Sequence, residues 1–64
     1  MIVNGKEQTL TESVTVSAFL KTAGYNSKRV VVERNRIIIP QSEFESTWLL
    51  DSDTLEIVHF VGGG

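Results

Sequence analysis

The 64-residue sequence predicts an α+β fold: a mixed sheet of about five strands, one main helix packed on one face, and a short helical turn. Three observations predict it. One stretch alone, "SVTVSAFLKTAGY", carries an apolar period of helical length. The apolar runs on either side are β-branched or alternate with period two, as strands do. A single helix covers only one face of a sheet, and that is the α+β solution.

Each element has its own signals. "MIVNGKEQTL" reads as a hairpin, with strands over roughly 1–4 and 6–10. Asn4-Gly5 suits a type I′ turn, whose two central residues both need positive φ. In the helix, Val16, Phe19, Leu20 and Ala23 recur at i, i+3, i+4 and i+7 and should face the core. Thr15 is the expected N-cap, Val14 and Phe19 have staple spacing, and Gly24 stands where a left-handed residue ends a helix, with Tyr25 folding back. "RVVVERNRIIIP" reads as two buried strands around a turn at Arg34-Asn35, stopped by Pro40. Ser42 and Glu45 have capping-box spacing for one helical turn, and Trp48 is expected to close one end of the core. "DSDT" is a turn and "LEIVHFV" the last strand, expected at the sheet centre beside the first. The order β-β-α-β-β-(short helix)-β is that of the β-grasp, or ubiquitin-like, fold. The domain is assigned to residues 1–61, with 62–64 a flexible glycine tail.

Composition bounds the function. The formal charge is −2, and no basic stripe is present to neutralise phosphates, so nucleic acid is not an expected partner. No apolar run reaches the roughly 18–20 residues of a membrane span, and the first ten residues lack a signal-peptide pattern. Without cysteine there is no disulfide and no thiol nucleophile. A cytoplasmic location is expected on these grounds.

No catalytic constellation emerges. His59 is the single histidine, has apolar neighbours and lacks companions at ligand spacing, so no metal site is expected. Asp51 and Asp53 flank Ser52 ahead of a strand, where aspartates ordinarily bond nearby backbone N–H groups; calcium needs a longer loop with more oxygens. No glycine-rich segment opens a helix, so phosphate-loop readings fail.

The closing "HFVGGG" is the one feature a core does not explain. Glycine has no side chain to pack and loses the most backbone entropy on ordering. An inert, frayed end is one reading. The other is a slim stalk that carries a terminal carboxylate into a narrow channel. The glycines begin directly after a strand and close the sequence, which favours the stalk. A carboxylate is a poor electrophile. ATP can activate it to an acyl-adenylate that a sulfur or nitrogen nucleophile attacks. Val58 and Phe60 alternate with Leu55 and Ile57 and should face outward as a partner surface near the tail.

The whole chain resembles the sulfur carrier proteins of thiamine biosynthesis, the ThiS family. The resemblance is carried by "IVNGK", "TVSAFL", "VVVERNRIIIP", the tryptophan of "STWLL", and "LLDSDTLEIVHFVGGG" with its terminal Gly63-Gly64. Gly62 is a third glycine ahead of the usual pair. The resemblance implies a protein co-substrate rather than an enzyme, with no bound cofactor. A ubiquitin-activating-like (ThiF-like) adenylyltransferase would use MgATP to adenylate Gly64. A cysteine desulfurase system would supply sulfur for a thiocarboxylate. Thiazole synthase (ThiG-like) would then take that sulfur. A sibling carrier serving molybdopterin or tRNA thiolation, a non-reactive β-grasp interaction module, and a ubiquitin-like conjugated protein remain alternatives.

Overall fold

The computed structural model describes residues 1–60. The elements run β1 (Ile2–Val3), β2 (Lys6–Glu7), β3 (Val14–Thr15), α1 (Val16–Ala23), a 3-10 turn (Ser27–Arg29), β4 (Val30–Arg34), β5 (Ile37–Ile39), a second 3-10 turn (Gln41–Glu43), β6 (Trp48–Leu49) and β7 (Thr54–His59). The main sheet has the order β2-β1-β7-β4-β5. β7 lies at its centre, parallel to β1 and antiparallel to β4. This is the mixed five-stranded sheet with one main helix that the element order implies.

The first hairpin turns at Asn4-Gly5, with φ of 50° and 81°. Its strands are shorter than expected. Pairing stops at Glu7, although Gln8 N–H still donates to the Met1 carbonyl at 2.8 Å. Residues 8–10 leave the sheet because Leu10 N–H is taken by the Asp51 carboxylate at 2.8 Å.

The helix is bounded as its ends dictate. Thr15 Oγ1 accepts from Ala18 N–H at 3.1 Å, satisfying a first-turn donor. Gly24 takes φ 87°; its N–H donates to Lys21 O, and Tyr25 N–H donates to Leu20 O, the paired bonds of a Schellman end. Val16 and Leu20 are fully buried, and Phe19 is half-buried. Ala23, expected in the core, is exposed. The short alanine side chain in the last turn does not reach the sheet, and Tyr25 packs against the core there instead.

The second hairpin turns one residue later than Arg34-Asn35, and its second strand is not buried: β5 is a sheet edge, with Ile37 72% and Ile38 62% exposed and Ile39 alone turned into the core. Arg34 pairs with Ile37, leaving Asn35-Arg36 as the turn, with φ of 52° and 71°. With both central residues at positive φ this is a type I′ loop, whose first place suits asparagine. The capping box at Ser42 does not form either. Pro40 opens the 3-10 turn without a side-chain cap, and the turn delivers Phe44 into the core. Trp48 is 58% exposed and closes no end of the core. β6 pairs with β3 as a small separate sheet, Val14 opposite Leu49 and Thr15 opposite Trp48. Leu49 takes the inward place and alternation turns Trp48 out. Between α1 and the sheet the core is completed by Met1, Val3, Val30, Val32, Ile39, Leu55 and Ile57.

Candidate functional site at the end of the central strand

β7 leads the chain toward its glycines, and both of its edges are held. Leu55 and Ile57 point into the core, while Glu56 and Val58 point away from the helix. On one side the ladder to β4 spans Leu55 to His59, and Phe60 N–H extends it by donating to the Arg29 carbonyl at 2.8 Å. On the other side β1 is only two residues long. Asn4 continues it with its side chain: Oδ1 accepts from Ile57 N–H at 2.7 Å, and Nδ2 donates to the Ile57 carbonyl at 3.3 Å. One amide side chain therefore stands in for a peptide group of the neighbouring strand. The sequence marks Asn4 as a turn residue; this second role depends on a residue 53 positions away and leaves no local signal.

The start of β7 is pinned as well. Asp53 is buried. Its Oδ2 accepts from Leu50 N–H at 2.9 Å, and its Oδ1 accepts from Asn35 Nδ2 at 3.1 Å. Asn35 Oδ1 accepts from Thr54 N–H at 3.0 Å, so the β4–β5 turn is tied to the foot of the central strand. Asp51 accepts from the terminal ammonium of Met1 at 2.9 Å and from Leu10 N–H at 2.8 Å. The Leu10 bond first, and the ammonium second, hold its carboxyl below the ordinary value of 3.8. Both aspartates thus satisfy backbone donors, as turn residues do, although each also reaches a group far away in sequence.

The outward face at this end is apolar. Val58 is 55% exposed and Phe60 47%. Val31 lies opposite Val58 on β4; Ile38 on β5, 62% exposed, stands in the neighbouring row with Glu33 and Glu56. His59 is exposed, and no group of three or more potential metal-ligating side chains occurs among the described residues. No described helix is long and apolar enough to cross a membrane. The anticipated tail residues Gly62, Gly63 and Gly64 lie outside the described residues.

The ThiS family model matches residues 1–64. This chain belongs to the ThiS family. It is 40% identical to the sulfur carrier protein ThiS of Bacillus subtilis over 63 residues, covering 97% of this chain and 96% of that one. The crystal structure of the thiamine biosynthesis protein ThiS from Geobacter metallireducens superposes with a TM-score of 0.83 at 33% identity, over 98% of this chain and 96% of the other. A thiazole synthase of Paramagnetospirillum magneticum is 44% identical over 64 residues, all of this chain but only 20% of that protein. The chain therefore spans about a fifth of the thiazole synthases it matches and nearly all of the small ThiS proteins. ThiS membership agrees with the β-grasp order of the elements.

Proposed function

We infer that this protein is a sulfur carrier of thiamine biosynthesis, whose chemistry is confined to its C-terminal glycines. The observation that carries this reading is the placement of β7. A central strand held on both edges brings Phe60 to the border of an exposed apolar face, and the sequence then runs Val61-Gly62-Gly63-Gly64. The likeness to a sulfur carrier over almost its full length supports it.

In the mechanism that follows, an adenylating partner uses MgATP. The Gly64 carboxylate attacks the α-phosphorus, pyrophosphate leaves, and an acyl-adenylate forms. The terminal sulfur of a persulfide, supplied by a cysteine desulfurase system, attacks the acyl carbon and AMP leaves. A thiol of the partner system then attacks the S–S bond of this acyl disulfide, forming a new disulfide with the persulfide's former cysteine and releasing a thiocarboxylate, ionised at neutral pH and more nucleophilic than a carboxylate. Thiazole synthase receives this sulfur. The folded domain contributes no acid or base. It presents the apolar face of Val58 and Phe60 to its partners and anchors the end of β7 through the Phe60 N–H bond to the Arg29 carbonyl.

The test is mass spectrometry after incubation with MgATP, the adenylating enzyme and a sulfur donor. The parent chain is expected to exchange one oxygen for sulfur. Gly63→Val and deletion of Gly64 are expected to abolish or severely slow that exchange while leaving thermal unfolding unchanged. Normal thiocarboxylate yield from both variants would end the carrier reading in favour of a non-reactive β-grasp interaction module.

A further inference from the structure

The clamp on β7 is built from a chemically labile dipeptide. Of the asparagines Asn4, Asn26 and Asn35, Asn4 is the one followed by glycine. Asparagine is among the thermolabile residues. Its side-chain amide is lost when the backbone nitrogen of the next residue attacks it, and a following glycine obstructs that attack least. Asn4 and Gly5 are both exposed, and nothing lies within 4 Å of the place a Cβ would take on Gly5. Water and hydroxide reach this turn, so crowding does not protect it.

What restrains the amide is the clamp itself. Oδ1 accepts from Ile57 N–H at 2.7 Å, Nδ2 donates to the Ile57 carbonyl at 3.3 Å, and the Asn4 backbone N–H donates to the Leu55 carbonyl at 2.9 Å. The side chain reaches across to β7 rather than along its own strand to Gly5. Both side-chain bonds must break before Cγ can swing onto the Gly5 nitrogen. Asn26 is the internal comparison. It precedes a small residue, Ser27, and is exposed. Among the described residues only its Oδ1 is engaged, accepting from Lys28 N–H at 3.0 Å.

We propose that Asn4 is a deamidation site gated by its own clamp: it converts in chains whose β1–β7 edge has opened, and conversion prevents that edge from closing as before. In the step, the Gly5 nitrogen gives its proton to hydroxide and attacks Asn4 Cγ. The bond from Cγ to Nδ2 breaks, and ammonia leaves with a proton from water. A cyclic succinimide remains. Water then opens it, either at Cγ to give aspartate or at the main-chain carbonyl to give isoaspartate. The balance is one water in and one ammonia out, with no oxidation. Neither product keeps the amide N–H, so the Ile57 carbonyl loses its donor and faces a carboxylate oxygen, two acceptors without a proton between them. Isoaspartate also lengthens the backbone of a two-residue turn by a methylene, which breaks the pairing of Val3 with Lys6. The strand released on that edge is the one from which the sequence runs on to the glycines. This device depends on the fold and not on the carrier reading.

The test is peptide mass mapping of the full chain during incubation in mildly alkaline buffer, with and without guanidinium chloride. In denaturant Asn4 is expected to convert faster than Asn26. Folding is expected to lower the ratio of the Asn4 rate to the Asn26 rate at least about tenfold, because reaction at Asn4 then waits for local opening. Leu20→Ala, which loosens the core under the sheet, should move that ratio in buffer back toward its denatured value. Asn4→Asp, the simpler of the two products, should melt below the parent at neutral pH. A ratio unchanged by folding, or by Leu20→Ala, overturns the gate. Conversion of Asn4 no faster than that of Asn26 in denaturant overturns the site. A thermal midpoint of Asn4→Asp equal to the parent's overturns the claim that conversion keeps the edge from closing.

Discussion

At the scale of single residues, the side chains that matter most to the site are those that answer backbone groups far along the chain. Asn4 is the clearest. Asn4→Gly keeps the positive φ of the turn and removes both bonds to Ile57, so its cost reads the clamp on β7 without backbone strain. About 1–3 kcal/mol of stability should be lost in denaturant unfolding, since a strand peptide group is left unpaired. Asp51 makes a pH prediction. Its folded pKa is depressed, so its stabilising contribution is present above the unfolded value and is lost as pH falls through the lower folded value. Asp51→Asn should therefore lower the thermal midpoint at neutral pH, and the gap from the parent should close as pH drops below the ordinary aspartate range near 3.8. A gap constant across that range would show that the charge is not what matters.

At the scale of elements, the helix was legible because every signal agreed: cap, apolar period and glycine stop. Leu20 is fully buried, and Leu20→Ala should cost about 2–5 kcal/mol, most of the stability of a domain this small. A thermal midpoint equal to the parent's would contradict the observed register. The β6 strand gives the opposite lesson. Trp48 reads as core from its size and apolarity, yet Leu49 occupies the buried place. Leu49→Ala is expected to destabilise by about 2–5 kcal/mol, and Trp48→Ala by less than about 1 kcal/mol, in the same urea titration. The pairing of β3 with β6 was not legible, because two-residue strands are too short to show a period.

At the scale of the whole molecule, stability and recognition occupy opposite faces of one sheet. The helix side is dry and closed. The other side leaves Val58 and Phe60 exposed at the end of β7. Phe60→Glu should leave the thermal midpoint within about 2 °C of the parent, because its backbone bond to Arg29 survives and its side chain packs in no core. Binding to the adenylating enzyme or the synthase should fall in surface-plasmon measurements. Equal binding by this variant would remove the apolar face from the account.

The sequence by itself determined the class of fold, the helix with both its ends, the first hairpin turn, the central place of the last strand and the outward aim of Val58 and Phe60. These follow from local rules: period, capping and the φ a turn demands, each acting over a few residues. Only the tertiary structure decided which of Trp48 and Leu49 is buried, that Ala23 stays in water, that Asn4 and Asn35 fasten the two halves of the chain to β7, and that Glu33 meets Glu56. Apart from Ala23, each depends on strand register. A register joins residues 18 to 53 positions apart and changes face with a slip of one, so no local pattern carries it.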